Sequence, residues 1–182
     1  MSSLRISAVL ALCGTLPFMH IPPASAAEEF SRYGTAKVSS QQYSPLKYVV
    51  EATAFDPAEV ANTLRVAKQM LSLSPKGSQM TIVVIGGAIR VFAKENYEKY
   101  QGIVDAAAEL RDAGVKIAYC NPSLRAAGFA PSDFHGIGEV VAGGFVEIAD
   151  LVSKGYVHIT PKAIQSRTKD ARYVDQPELK KK

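Results

Sequence analysis

The 182-residue chain contains no tryptophan, two cysteines and three histidines. Its cysteines and histidines are too few, and too irregularly spaced, to form a dedicated metal site. No Cys-x-x-Cys motif is present, which argues against a thioredoxin-like oxidoreductase, and both glycine-rich nucleotide fingerprints are missing. We therefore expect a protein without a bound metal or cofactor.

The sequence also lacks an apolar run long enough to span a bilayer. Instead, Arg5 precedes a short apolar stretch, Ile6–Leu16, and Ala24–Ser25–Ala26 has the small-x-small pattern cleaved by signal peptidase. This pattern predicts a signal peptide over residues 1–26, and a periplasmic or secreted mature protein without stable membrane insertion. Cleavage after Ala26 would remove Cys13.

Two alternatives remain for the N-terminal segment. A lipoprotein anchored through Cys13 is disfavoured because bulky Leu12 stands where a small residue is needed. An uncleaved membrane anchor is disfavoured by the prolines that follow the apolar stretch. With the cleaved signal peptide, the mature chain has a single thiol and no possible intramolecular disulfide.

The net charge of +4 is concentrated at the C-terminus, because residues 161–182 contain seven basic and three acidic residues. We interpret this segment as a basic tail, and the polar residues 27–43 as a flexible arm. The remainder, residues 44–160, is nearly neutral and has no basic stripe. Together with the predicted export, this argues against nucleic acid as a partner.

Residues 44–160 alternate between strand-like and helix-like segments. The β-branched or continuous apolar runs that predict strands are 46–53, 80–85, 115–120, 140–142 and 156–159. The segments that predict helices are 57–74, 88–94, 96–113, 122–128 and 144–154. The alternation predicts one three-layer α/β/α domain with a five-stranded, mainly parallel sheet, whose ligand chemistry would gather at the carboxyl ends of the strands.

Cys120 is placed at such a strand end, directly before a predicted helix. A helix N-terminus favours a thiolate; Arg125 one turn later would add positive charge, and Ser123 could add a hydrogen bond. We therefore predict Cys120 and Arg125 as catalytic residues in sulfur or redox chemistry. The alternatives are that Cys120 is a small buried apolar residue and that Arg125 is a surface or interface charge.

The candidate binding residues near Cys120 are Asn121, Ser123, Gly86, Gly87 and His135. Gly86 and Gly87 follow the second strand and could bring backbone N–H groups to an anion, although a tight turn is the better explanation. His135 follows a predicted turn and could act as a base near the thiol, or it could be a loop histidine without a role.

The order Cys120, Arg125, Gly128 and then Pro131–Ser132–Asp133, followed by a helix starting at Gly144, resembles the DsrE/DsrF-like family of sulfur-relay proteins. The resemblance covers residues 46–160. It implies a cysteine at the end of the third strand and assembly as a homo-oligomer, often a trimer or hexamer. Many relatives have asparagine two residues after the cysteine, whereas here Asn121 follows it directly and Pro122 takes the second place.

Two hypotheses of function follow. In the first, Cys120 carries sulfane sulfur as a persulfide between sulfur donor and acceptor proteins or small sulfur compounds. In the second, the protein is a non-catalytic homo-oligomeric module that binds a small ligand or a partner loop, and Cys120 is buried packing. The accessibility of the thiol in the folded protein distinguishes them.

Overall fold

A computed structural model describes residues 33–161. They form a five-stranded sheet, in which every neighbouring pair of strands is parallel and the strand order is β4-β3-β2-β1-β5. The strands are β1 Lys47–Ala52, β2 Gln79–Val84, β3 Lys116–Cys120, β4 Glu139–Val141 and β5 Val157–Ile159. The predicted fold class is confirmed, and the sheet is entirely parallel.

Four α-helices connect these strands: α1 Pro57–Leu73, α2 Tyr97–Asp112, α3 Asn121–Ala126 and α4 Gly144–Ser153. The sequence specifies the start of α1 directly, because Asp56 accepts a hydrogen bond from the N–H of Ala58 and Pro57 occupies the first turn. The α1 and α2 helices both follow strands of the sheet. They return the chain across one face to the start of the next parallel strand.

Short 3₁₀ helices occupy three further segments: Gly86–Phe92, Lys94–Asn96 and Pro131–Asp133. The first replaces the helix predicted over residues 88–94. Five of its seven residues are buried, so it lacks the exposed face that an amphipathic surface helix presents. The turn predicted at residues 131–134 corresponds to the third of these helices.

The two faces of the sheet carry separate hydrophobic cores, because successive strand residues point to opposite sides. The larger core packs α1 and α2 against residues such as Val50, Ile82 and Tyr119. The smaller core packs α4 against the strand residues whose side chains point to the other face of the sheet. Its buried members are Val49, Val83, Ile85, Ala118, Cys120, Ile148 and Leu151. Cys120 therefore lies on the face covered by α4.

Residues 33–41 belong to a separate unit from residues 42–161 and contain no helix or strand. The predicted signal peptide, the start of the arm, Cys13 and almost all of the basic tail lie outside the described residues. Within residues 33–161, none of the helices has the length and apolar character needed to cross a membrane. The same residues contain no cluster of three or more His, Cys, Asp or Glu side chains placed to hold a metal ion.

Candidate functional site

Cys120 is the last residue of β3 and immediately precedes α3, as the sequence predicts. Its backbone is extended, with φ −69° and ψ 112°, so it serves as the N-cap residue of that helix. The residue is only 4% exposed and packs in the core beneath α4. The thiol is therefore at the carboxyl edge of the sheet, but it is largely covered by protein.

A second helix also begins beside this thiol. Cys120 is paired with Val141 of the edge strand β4, and the chain turns at Gly143 to begin α4 at Gly144. A Cβ atom at Gly144 would lie 3.1 Å from the Cβ atom of Cys120 and 2.6 Å from Cγ1 of Ile85. Glycine is needed here because any side chain would collide with the wall of the thiol site.

The net environment lowers the pKa of the Cys120 thiol below its ordinary value. Burial acts in the opposite direction and raises the pKa, because it disfavours the charged thiolate. Hydrogen bonds from the hydroxyl of Ser123, the N–H of Ser123 and the N–H of Gly144 outweigh burial. The thiolate is thus stabilised by donors from the first turns of both α3 and α4.

Ser123 connects Cys120 to the end of β2. Its hydroxyl oxygen accepts a 2.8 Å hydrogen bond from the N–H of Gly86, and the hydroxyl is near enough to Cys120 to lower the pKa of its thiol. Gly86 has a positive φ of 61°, a conformation that glycine adopts without steric cost. The N–H of Gly86 therefore holds a serine hydroxyl in place, and the positive φ agrees with the tight turn that the sequence favoured at this position.

An open pocket of about 380 Å³ lies on the outer side of Ser123. Its other lining residues include Gly87, Phe55, Arg90 and Pro122, and we call it the Ser123 pocket. Phe55 is 85% exposed, and its ring lies so close to Gly87 that a Cβ atom there would be 2.3 Å from the ring carbon Cδ1. The pocket thus has an aromatic wall and one guanidinium group.

The other predicted site residues are not all brought to the thiol. Asn121 is half-buried in the first turn of α3, next to Cys120 in the chain. Arg125 is exposed in the last turn of α3, and it is not among the groups that shift the pKa of Cys120. His135 packs its ring against Tyr97, with centroids 5.1 Å apart. Its neighbour Phe134 belongs to the larger core, on the opposite side of the sheet from Cys120.

Three residues of this region were not identified from the sequence: Gly144, Phe55 and Arg90. A signal existed for Gly144, since Gly143 and Gly144 follow a short strand where a helix begins. Phe55 carried a weaker signal as an aromatic residue just after the end of β1, at the same edge of the sheet. No sequence pattern pointed to Arg90, because only the path of the 3₁₀ helix places it beside Ser123.

The fold and site define a class of protein: a parallel α/β domain with one stabilised thiol at the carboxyl edge of its sheet. The sequence profile described as the DsrE/DsrF-like family matches residues 46–161, and the chain belongs to this family. The family is generally associated with sulfur relay. A search of curated proteins gave no match.

Solved structures provide a further comparison of the fold. The chain is similar to MTH1491 from Methanobacterium thermoautotrophicum, described as a protein of unknown function, with 22% identity and a TM-score of 0.56. The match covers 64% of this chain and 99% of that one. The ychN protein from E. coli is more distant, at 14% identity and a TM-score of 0.47, with 65% of this chain and 100% of that chain covered.

Proposed function

We propose that this protein carries sulfane sulfur as a persulfide on Cys120 and passes it between sulfur donors and acceptors. The observation that supports the proposal most directly is the position of Cys120 at the start of α3 and beside Gly144 at the start of α4, where Ser123 and Gly144 help to lower the pKa of its thiol. A thiolate is the nucleophilic form of cysteine, so a site that lowers the thiol pKa favours sulfur transfer near neutral pH. Membership of the DsrE/DsrF-like family supports the same chemistry.

The proposed transfer is a simple displacement at sulfur. The Cys120 thiolate attacks the outer sulfur of a donor persulfide, R–S–SH; a new S–S bond forms and the donor's S–S bond breaks. The donor leaves as the thiolate R–S⁻, and Cys120 becomes Cys–S–SH with the proton retained on the outer sulfur. An acceptor thiolate then attacks that outer sulfur and releases Cys120 as a thiolate, so no external oxidant or reductant is needed.

The Ser123 pocket is the proposed approach for small donors. It adjoins the hydroxyl that contacts Cys120, and Arg90 supplies a positive charge that would attract an anionic sulfur compound. Arg125, one helical turn beyond the thiol, stays a second candidate for this charge. The binding roles of Asn121 and His135 stay predictions, because no contact within residues 33–161 defines them.

Two further properties belong to this proposal. The sequence pattern of residues 1–26 indicates export, which would place the sulfur chemistry in the periplasm or outside the cell. We also propose a homo-oligomer, a trimer or hexamer, as the family resemblance implies. Phe145 and Val146 at the start of α4 are more than half exposed, which fits an apolar contact surface.

Intact-mass measurement tests the sulfur-carrier proposal. The mature protein, treated with a small persulfide donor and freed of excess reagent, should gain the mass of one sulfur atom, and a reductant should remove it. Cys120→Ser should show no gain. If the folded, reduced protein takes up no sulfur from the donor, the proposed function is wrong.

The low exposure of Cys120 supports a second candidate function. At 4% exposure, the residue could act as core packing beneath α4, and the carboxyl edge would then serve only to bind a ligand or partner loop. Thiol labelling near neutral pH separates the two functions. Fast labelling of the folded protein supports the sulfur carrier, whereas labelling only after denaturation supports the binding module.

A further inference from the structure

One face of the sheet is covered by a single helix. Within residues 33–161, α4 is the only helix that contributes buried side chains to the smaller core. A five-stranded sheet is about 24 Å wide, because neighbouring strands lie about 4.8 Å apart, whereas a helix with its side chains is about 10–12 Å across. The α4 helix therefore covers only part of this face, and its outer surface is open to a further layer of protein.

The outer surface of α4 is itself apolar. Phe145 is 67% exposed, Val152 is 45% exposed, and Ala149 between them is exposed as well. Residues spaced four and then three apart lie on one side of a helix, so these three side chains form a continuous strip, which we call the α4 strip. Val146, 70% exposed, borders it. Single exposed apolar residues need no explanation, but a continuous strip of them indicates a protein contact.

No charged residue interrupts the α4 strip. Glu147 and Asp150, the acidic residues of α4, lie on other sides of the helix, because successive residues are rotated by about 100°. Nζ of Lys154 binds Oδ2 of Asp150 across one turn, at 2.5 Å, so these two charges already neutralise each other. The strip thus presents an uncharged apolar surface, which does not repel an identical surface.

The α4 strip is complementary to itself. Its central residue is small Ala149, with Phe145 about one turn before it and Val152 almost one turn after it. If two such helices pack antiparallel across a two-fold axis at Ala149, the small side chains let the backbones approach closely, and Phe145 of each copy lies beside Val152 of the other. The two helix dipoles are then also antiparallel, which is favourable. A second copy of this chain therefore fits the strip.

We propose that the α4 strip is a two-fold contact between two copies of this chain, whose α4 helices pack antiparallel and cross at Ala149. The inference rests on the homo-oligomer of the proposed function and names its contact surface. A two-fold contact joins copies in pairs, so it is compatible with a dimer or with a hexamer in which it connects two trimers, and it excludes an isolated trimer.

This arrangement also sets the spacing of the thiol sites. Each α4 strip begins next to Gly144, which adjoins Cys120. In an antiparallel pair, the starts of the two ten-residue helices are about 15 Å apart. The Cys120 thiols of the two copies are therefore too far apart to form a disulfide with each other, and each site keeps its own approach.

The mass of the assembly tests the surface. In analytical ultracentrifugation, Phe145→Glu should halve the mass found for the wild type, whether from dimer to monomer or from hexamer to trimer. Its circular dichroism spectrum should not change, because Phe145 is mostly exposed within one copy. Leu73→Glu is the matched control. Leu73 is 76% exposed at the end of α1, which packs on the other face of the sheet, so this variant should keep the wild-type mass.

Cross-linking tests the two-fold axis. In a chain carrying Cys13→Ser and Cys120→Ser, Ala149→Cys places one thiol next to its own copy, so mild oxidation should give a disulfide-linked dimer. Ser72→Cys, exposed on α1, should give none. Chains with Phe145→Cys and chains with Val152→Cys, refolded together, should cross-link at least fivefold more than either does alone, because the antiparallel pair joins unlike positions.

The outcomes separate this contact from the rest of the proposed function. A wild type that is monomeric at high micromolar concentration would overturn both the homo-oligomer and the contact. A wild-type oligomer that keeps its mass in Phe145→Glu, or that gives no cross-link in Ala149→Cys, would overturn the contact alone. Loss of the oligomer only on deletion of residues 162–182 would assign the contact to the C-terminal tail instead. Sulfur uptake by Cys120 is measured independently, so its failure leaves this result unchanged.

Discussion

The hydroxyl of Ser123 lies 2.8 Å from the backbone nitrogen of Gly86, and this contact joins the ends of β2 and β3 beside the thiol. Gly86 donates to the oxygen, and the same hydroxyl helps to lower the pKa of the Cys120 thiol, against the burial that raises it. A hydroxyl that accepts one hydrogen bond is oriented to donate its own proton elsewhere. The turn after β2 therefore helps to fix the direction of a donor that acts on β3.

Removal of this hydroxyl should raise the pKa of Cys120. A hydrogen bond to a charged group contributes about 1.5–3 kcal/mol, and one pKa unit corresponds to about 1.4 kcal/mol. We therefore expect Ser123→Ala to move the midpoint of the pH–alkylation profile upward by about one unit or more. Ser132→Ala is the matched control: over residues 33–161 the Ser132 side chain makes no hydrogen bond, and only the backbone oxygen of Ser132 accepts one, from Nζ of Lys94. Equal midpoints in the two variants would contradict this role of Ser123.

The close approach of Ile85 to Gly144 at the start of α4 predicts that Gly144 cannot be replaced by a larger residue without loss of stability. A methyl group there would meet the buried side chain of Ile85 at 2.6 Å. Overpacking of this kind costs about 1–3 kcal/mol, so Gly144→Ala should lower the free energy of unfolding by that amount. Gly143→Ala is the control, because its nearest atom, Cγ2 of Val146, would be 3.5 Å away. Urea unfolding measures both; similar losses would show that the close approach at Gly144 is not required.

Arg90 and Arg125 can be compared by the charge of the alkylating reagent. Anionic iodoacetate and neutral iodoacetamide react with the same thiolate, so the ratio of their rates reports positive charge near the approach path. Exposed charge pairs contribute about 0.2–1 kcal/mol, so we expect Arg90→Gln to lower the ratio up to about fivefold. Arg125→Gln should lower it less, since Arg125 does not line the Ser123 pocket. A larger effect of Arg125→Gln would assign the charge to Arg125, as the sequence alone predicts.

The export proposal predicts a specific mature N-terminus. If Arg5, the short apolar stretch and Ala24–Ser25–Ala26 form a signal peptide, protein recovered from the native host begins at Ala27. N-terminal sequencing or intact mass measures this directly. A full-length chain would refute the export proposal, and a lipid-modified Cys13 would support the lipoprotein alternative.

The sequence predicted the order of strands and helices because each element has a local cause. The nearly continuous apolar run of β2 needs cover on both faces, and Asp56 with Pro57 begins α1 by capping. The segment after β2 was assigned less well. Its buried residues cannot be placed on one helical face, and the 3₁₀ form became evident only when packing was known.

The site was predicted in part. A thiol at a strand end before a helix is a local pattern, and Cys120 lies at such an end. The donor from Gly144 could not be inferred, because it reaches Cys120 through the pairing of β3 with β4. The role of His135 stays a prediction: the sequence placed it after a turn, and in the structure its ring packs on Tyr97.

The amino-acid sequence by itself determined which segments form strands and helices, because hydrophobic period, capping residues and turn glycines act over a few neighbouring residues. It also placed the cysteine at a strand end. Only the tertiary structure decided which face of the sheet the thiol occupies, which donors reach it and how little of it is exposed. Those properties depend on strand order and on the path of α4, and both arise from contacts between residues far apart in the chain.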